Sequence, residues 1–338
     1  MGSRYFDWQL MKNHFESRRL LMLGLSSSAL TSFGAFAQTT AFPSKTVRIL
    51  VPFPAGGSAD SLVRIVSQFL SKRWGQSVVI ENRPGGGTVI AGALAAKSPA
   101  DGYTLLVIAN SLTINAKLRS TLPYDGLRAF DPIAQLVQSP QVIAVNSASP
   151  YKTLAELLQA AKSNPGGLSY AAVGPATTQH IAGESFKRVT GTDFTYVAFT
   201  GGALAANAVA GNHVTMVLTN FNEMAPMLEA GKLRPLAVTT RARIDELKQV
   251  PTMMELGYKD YEAVVWFALA TPAGTPKDII QKIAADLQAA LLDSEIHQKL
   301  TNAGLHPAYL GSEPLATHIQ NEFQRYSKII DDARIKLD

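Results

Sequence analysis

The chain has 338 residues, with 31 Lys and Arg against 26 Asp and Glu, and no Cys. A formal net charge of +5, spread along the chain, is too small an excess for nucleic-acid binding and suits a small anionic ligand only weakly. Without Cys there are no disulfides, thiolate nucleophiles or Cys-ligated metals, so the fold must rest on a large apolar core, which a chain this long can bury.

Residues 1–37 read as a secretory signal. Arg18 and Arg19 precede the apolar stretch LLMLGL, and Ala35-Phe36-Ala37 gives a small-x-small cleavage pattern. The residues leave open whether Met1 or Met11 is the start, and whether export is general or twin-arginine. No later apolar run reaches the roughly 18 residues needed to span a bilayer.

From residue 46 the chain alternates strand and helix patterns. Val47, Ile49 and Val51 alternate with Arg48 and Leu50, predicting a buried strand over 46–52. Pro54-Ala55-Gly56-Gly57 is a turn, and 58–74 has helical spacing with Leu62, Val63, Val66, Phe69 and Leu70 on one side. Strands are predicted at 77–81, 104–109, 130–138, 141–146, 168–173, 195–199, 214–220, 233–238 and 263–270. Helices fall at 88–97, 153–163, 178–190, 201–210, 223–229, 276–292, 294–303 and 314–335; Thr153-Leu-Ala-Glu156 opens one of them as a capping box. Residues 110–125 read as polar and irregular. The pattern is α/β with mostly parallel strands, and such sheets bind ligands at the carboxyl ends of their strands. Length suggests two domains, with crossovers at the apolar strands 141–146 and 263–270.

Local catalytic signatures are missing. There is no G-x-S-x-G, no phosphate loop, and no metal spacing among His14, His180, His213, His297, His306 and His318. Binding features are richer. Gly56 and Gly57 join a strand end to a helix start, where free backbone N–H groups at the positive end of a helix dipole suit a small anion such as a carboxylate. Gly174-Pro-Ala-Thr177-Thr178-Gln-His180 repeats that arrangement, its threonines ready to cap the helix or to hold an anion, and His180 is either a ligand group or a structural residue. Phe199-Thr200-Gly201-Gly202 is a third such loop. Ser111 and Thr113 follow one buried strand, and Asn220 ends another. Asp60 can serve the helix dipole or a ligand; Phe53 and Trp266 can be core or pocket wall.

These motifs carry a resemblance. FPSKTVRILVPFPAGG (42–57) with Asp60 and Arg64, WGQSVVIENRPGGG (74–87), ADGYTLL (100–106), FDPIAQL (130–136), GPATTQHIAGESF (174–186) and FTGGALAANAVAGNHV (199–214) resemble the Bug family. These are the extracytoplasmic receptors of tripartite tricarboxylate transporters. The resemblance covers essentially all of 42–338. It implies a type II periplasmic binding protein fold in which two doubly wound lobes, joined by crossover strands, close a cleft over a small carboxylate. Residues 38–140 with 263–338 would form one lobe and 141–262 the other. By resemblance, Ala55, Gly56, Gly57 and Ser58 hold the ligand carboxylate. Thr177, Thr178, His180, Thr200, Gly201 and Gly202 act from the second lobe, with Ser111 and Thr113 on the rim. Phe53, Asp60 and Asn220 complete the expected ligand-binding set. The chain departs from the family at Leu204, where Pro is usual, at Ala268, where Gly is, and at Thr219, where Asp is frequent. Losing an acid at Thr219 removes a partner for a ligand amine, so a simple carboxylic acid is expected. The implied role is capture of that acid in the periplasm for membrane permease subunits by a monomeric protein. The rival roles are presentation of the ligand to a sensor kinase and, further off, an enzyme on the same fold. No cofactor and no metal are implied.

Overall fold

The computed structural model describes residues 42–337. The export signal expected at 1–37 lies outside the described residues. Among the described residues, ten strands and ten α-helices follow one another in the order β1 (Val47–Val51), α1 (Ser58–Trp74), β2 (Val78–Asn82), α2 (Val89–Ala96), β3 (Thr104–Ala109), α3 (Ser111–Leu118), β4 (Phe130–Asn146), α4 (Leu154–Ser163) and β5 (Leu168–Val173). Then come α5 (Thr178–Thr190), β6 (Phe194–Phe199), α6 (Gly202–Ala210), β7 (Met216–Asn220), α7 (Phe221–Glu229) and β8 (Leu233–Val238). The chain ends with β9 (Val264–Pro272), α8 (Lys277–Leu292), α9 (Ser294–Asn302), β10 (His306–Gly311) and α10 (Ser312–Ala333).

The strands order as β2-β1-β3-β9-β4-β7-β5-β6, with β8 and β10 also on β4. β1 runs parallel to β2 and β3, and β5 parallel to β6 and β7. β4 carries two sets of partners. Up to Pro140 it pairs antiparallel with β9, and from Gln141 on with β7 and β8. Pro140 stands at the change, where a residue without an N–H is tolerated because the ladder is switching partners. The two strands expected at 130–138 and 141–146 are therefore one, and the proline is a switch of neighbour rather than a break. β9 stays wholly with β3 and the first part of β4. The return passage runs through 239–263, where the Ala263 N–H donates to Thr239 O at 3.1 Å.

Each half of the sheet is covered on both faces. Around β1 and β3, Ile49, Val51 and Val107 pack on Leu62, Val66 and Leu70 of α1, while Leu50, Leu106 and Ile108 pack on Ala91, Leu315 and Ile319 on the opposite side. Around β5, Tyr170 and Ala172 meet Leu157 and Phe186, and Ala171 meets Ala205 and Val209. The capping box forms as the sequence indicates: the Glu156 N–H donates to Thr153 Oγ1 at 3.2 Å and the Thr153 N–H to Glu156 Oε2 at 3.3 Å.

Two elements depart from the sequence reading. α3 lies inside 110–125, which was expected to be irregular. Its Ser111, Thr113 and Asn115 are buried along with Leu112 and Ile114, so no polar face marks it. The buried groups are satisfied: Thr113 Oγ1 donates to Asn110 O at 2.8 Å, and Asn115 Nδ2 donates to Gly87 O at 2.6 Å and to Ser111 O at 2.7 Å. β10 was not expected; all six of its residues are half-buried, which leaves no alternation to read.

Candidate functional site

The β1–α1, β3–α3, β5–α5 and β6–α6 connections all run from a strand's carboxyl end into a helix start, and they converge. With the end of β7 and part of β9 they enclose a cavity of about 360 Å³, near the low end of the range for small-molecule sites.

The first wall is the β1–α1 loop, with Phe53, Pro54, Ala55, Gly56 and Gly57, followed by Ser58. Gly56 has φ +80°, a left-handed conformation that glycine adopts at least cost. Its N–H donates to Asp60 Oδ2 at 2.9 Å. The same carboxylate accepts from Arg64 Nε at 2.8 Å and from Asn82 Nδ2 at 3.0 Å, while Asn82 also donates to Phe53 O. Burial alone would raise the Asp60 pKa, but the hydrogen bonds from Arg64, Gly56 and Asn82 outweigh it and hold the group below its ordinary value. Asp60 thus lies beneath the loop as its anchor and does not line the cavity.

The second wall comes from α5 and α6. Thr178, Thr200, Gly201 and Gly202 line it together with Gln179 and Leu204. Thr177 also lines it, and acts as the N-cap of α5: its Oγ1 accepts from the His180 N–H and donates to Gly174 O at 2.8 Å. His180 turns away. Its ring packs on Tyr196 with centroids 4.6 Å apart and the planes tilted by 32°, and burial lowers its pKa, favouring the neutral imidazole. Thr113 is likewise outside the cavity, tied to Asn110, whereas Ser111 reaches the wall. Asn220 lines it from β7: its Nδ2 donates to Ser58 Oγ at 2.9 Å, and Ser58 Oγ donates to Asn222 Oδ1 at 2.8 Å.

Of the fifteen residues singled out from sequence, twelve therefore meet at one cavity, and Asp60, Thr113 and His180 stand behind it. The apolar part of the wall was largely unforeseen. Val265 and Phe267 point into it from one face of β9, and Phe267 meets Phe53 edge-on at 5.9 Å. The period-two alternation of β9 was the signal that could have found them. Trp266, on the opposite face, packs against His318 instead. Glu223 was missed as well and also lines the cavity.

Electrostatically the site is built from backbone. The N-cap residues of α1, α3 and α6 make no side-chain cap bond; the Glu223 carboxylate faces the Ser58 N–H at the start of α1, and the other N–H groups of these first turns, with their dipoles, can serve an anion. No helix among the described residues is long and apolar enough to cross a membrane.

The fold and the cavity together define an α/β binding protein built to enclose a small molecule. Residues 62–335 match the family described as "Tripartite tricarboxylate transporter family receptor", and the chain belongs to that family, whose members are periplasmic solute-binding receptors. It is similar to protein BugT of Bordetella pertussis, 29% identical over 323 residues, covering 95% of this chain and 99% of that one. Among solved structures it resembles Rpa4515 of R. palustris with adipate, at 33% identity and a TM-score of 0.84, covering 87% of this chain and 99% of that one. It also resembles MatC of Rhodopseudomonas palustris with bound malate, at 28% identity and a TM-score of 0.78, covering 86% and 100%.

Proposed function

We propose that this protein captures a small carboxylate in the cavity between its helix starts, in the periplasm, and delivers it to membrane permease subunits. The observation that carries this reading is the convergence of α1, α3, α5 and α6 on one cavity, three of them without a cap bond from the side chain of their own N-cap residue. Helix starts of this kind hold a carboxylate through several modest hydrogen bonds and dipole contributions, each of about 1 kcal/mol. The adipate and malate bound by the two similar structures support the ligand class. The family's description supports delivery to a permease over presentation to a sensor kinase. Export by residues 1–37 and a monomeric state belong to the same proposal.

Residues 38–140 with 263–338, and 141–262, act in this reading as two lobes that close over the ligand. β4 at Pro140-Gln141 and the return passage at 239–263 are the connections about which they move. Ser58, Asn220 and Asn222 bridge the two across the cavity floor.

A thermal-shift screen of the purified protein against mono-, di- and tricarboxylates, aromatic acids and amino acids tests the reading. A ligand that binds only the folded state adds about 2.7 kcal/mol of stability at a hundredfold excess over its Kd. One carboxylate class is therefore expected to raise the melting temperature clearly. A protein refolded to strip carried-over ligand and unmoved by every acid would overturn it.

A further inference from the structure

Glu223 stands where several helix starts meet. Its Oε2 accepts from Thr219 Oγ1 at 2.8 Å, and its carboxylate faces the backbone N–H groups of Ser58 and Asn220. Its Oε1 lies 3.4 Å from where a Cβ on Gly57 would sit, and a Cβ on Gly202 would overlap Oε2. The carboxylate therefore already occupies an anion position shared by the starts of α1 and α6. Among the described residues it is the only ionisable side chain in the cavity wall, which holds no Lys, Arg or His. Burial pushes its pKa up, against the pull of Thr219 and of the nearby Ser58 and Asn220 N–H groups.

This arrangement bears on ligand charge. A carboxylate offers about four acceptor positions; Thr219 fills one, which leaves acceptor capacity for a donor on the ligand. Burial disfavours the ionised form of Glu223; a second ligand carboxylate beside it would disfavour that form further in an enclosed, weakly screened site, so that the diacid binds only at the cost of protonating one of the two groups. An ammonium group would instead complete the acceptor. The expectation of a simple acid rested on Thr219 lacking a carboxylate. Glu223, four residues further on, supplies one, and that carboxylate accepts a hydrogen bond from the same threonine.

We propose that Glu223 sets the ligand class: the cavity selects an acid with a carboxylate at one end and an amine at the other, and disfavours dicarboxylates of the same length. The inference rests on the receptor reading and narrows it. Phe53, Val265 and Phe267 form an apolar wall suited to the carbon chain between the two polar ends.

Isothermal titration at neutral pH and fixed salt, with the matched pairs 4-aminobutanoate and succinate, and 6-aminohexanoate and adipate, provides the test. In at least one pair the amino acid is expected to bind about tenfold or more tightly than the diacid, and Glu223→Gln is expected to erase about tenfold of that preference. A diacid that binds the wild type as tightly as its partner overturns the proposal, and this holds even if the variant does not fold. A preference that survives Glu223→Gln unchanged overturns it too. So does binding to none of the four by a protein that the carboxylate screen shows to be active. Silence against the whole screen removes the receptor reading and this inference with it.

Discussion

Gly202→Ala is expected to weaken ligand binding by about 10- to 100-fold, each tenfold step corresponding to 1.4 kcal/mol. Gly202 opens α6 in the cavity wall, and a Cβ there would overlap both Glu223 Oε2 and Thr219 Oγ1. The Glu223 side chain is long enough to swing aside, but Thr219 is short and buried in β7. The methyl group therefore drives the carboxylate off the Ser58 and Asn220 N–H groups and towards the ligand's space, or shifts the start of α6. Overpacking of this kind costs about 1–3 kcal/mol, within the stability of an ordinary domain, so the variant should fold. Titration with the acid that best stabilises the wild type, alongside circular dichroism of the variant, checks the expectation. Unchanged affinity would take the α6 start out of the site.

The second large effect is on stability. Asp60→Ala is expected to cost about 3 kcal/mol, through the loss of charge-assisted hydrogen bonds and the stranding of their donors. The Gly56 N–H and Asn82 Nδ2 lose an acceptor that is itself buried. Arg64, whose side chain is 54% exposed, is resolvated and adds little. A lowering of the melting temperature by roughly 5–10 °C follows, together with weaker ligand binding, since the β1–α1 loop loses its anchor. The pH dependence has a definite sign. The Asp60 pKa is lowered in the folded state from an ordinary 3.8, so its contribution is fully present above that value and is lost as pH falls through the lower folded value. The gap in melting temperature between wild type and variant should thus be constant near neutrality and close only in strong acid. A gap that closes between pH 5 and 7 would contradict the role given to Asp60.

How much of this was legible in the sequence follows from how each feature is encoded. The β1–α1 and β5–α5 units announce themselves because a buried strand, a glycine-containing turn and an amphipathic helix each carry a local pattern. The candidate loops of the site follow from the same units, since ligands gather at strand ends. Features that depend on a distant partner were hidden. α3 buries polar groups that are satisfied in part by Gly87 and Thr88, more than twenty residues away, so it looked irregular. The single strand β4 was read as two, at 130–138 and 141–146, because the sequence does not show that it changes neighbours between them. His180 and Thr113 carry the right chemistry, but Tyr196 and Asn110 hold them away from the cavity. Glu223, an acid in the first turn of a helix, has a sufficient local explanation in the helix dipole. Its place in the wall comes only from the packing of α7 beside Gly57 and Gly202.

A crystal structure of the protein grown with the acid that gives the largest thermal shift tests the central claim most directly. The expected result is one ligand in the cavity, with its carboxylate about 3 Å from backbone N–H groups at the uncapped helix starts. A carboxylate bound elsewhere, or held in the cavity by side-chain charge with those N–H groups unused, would contradict the account.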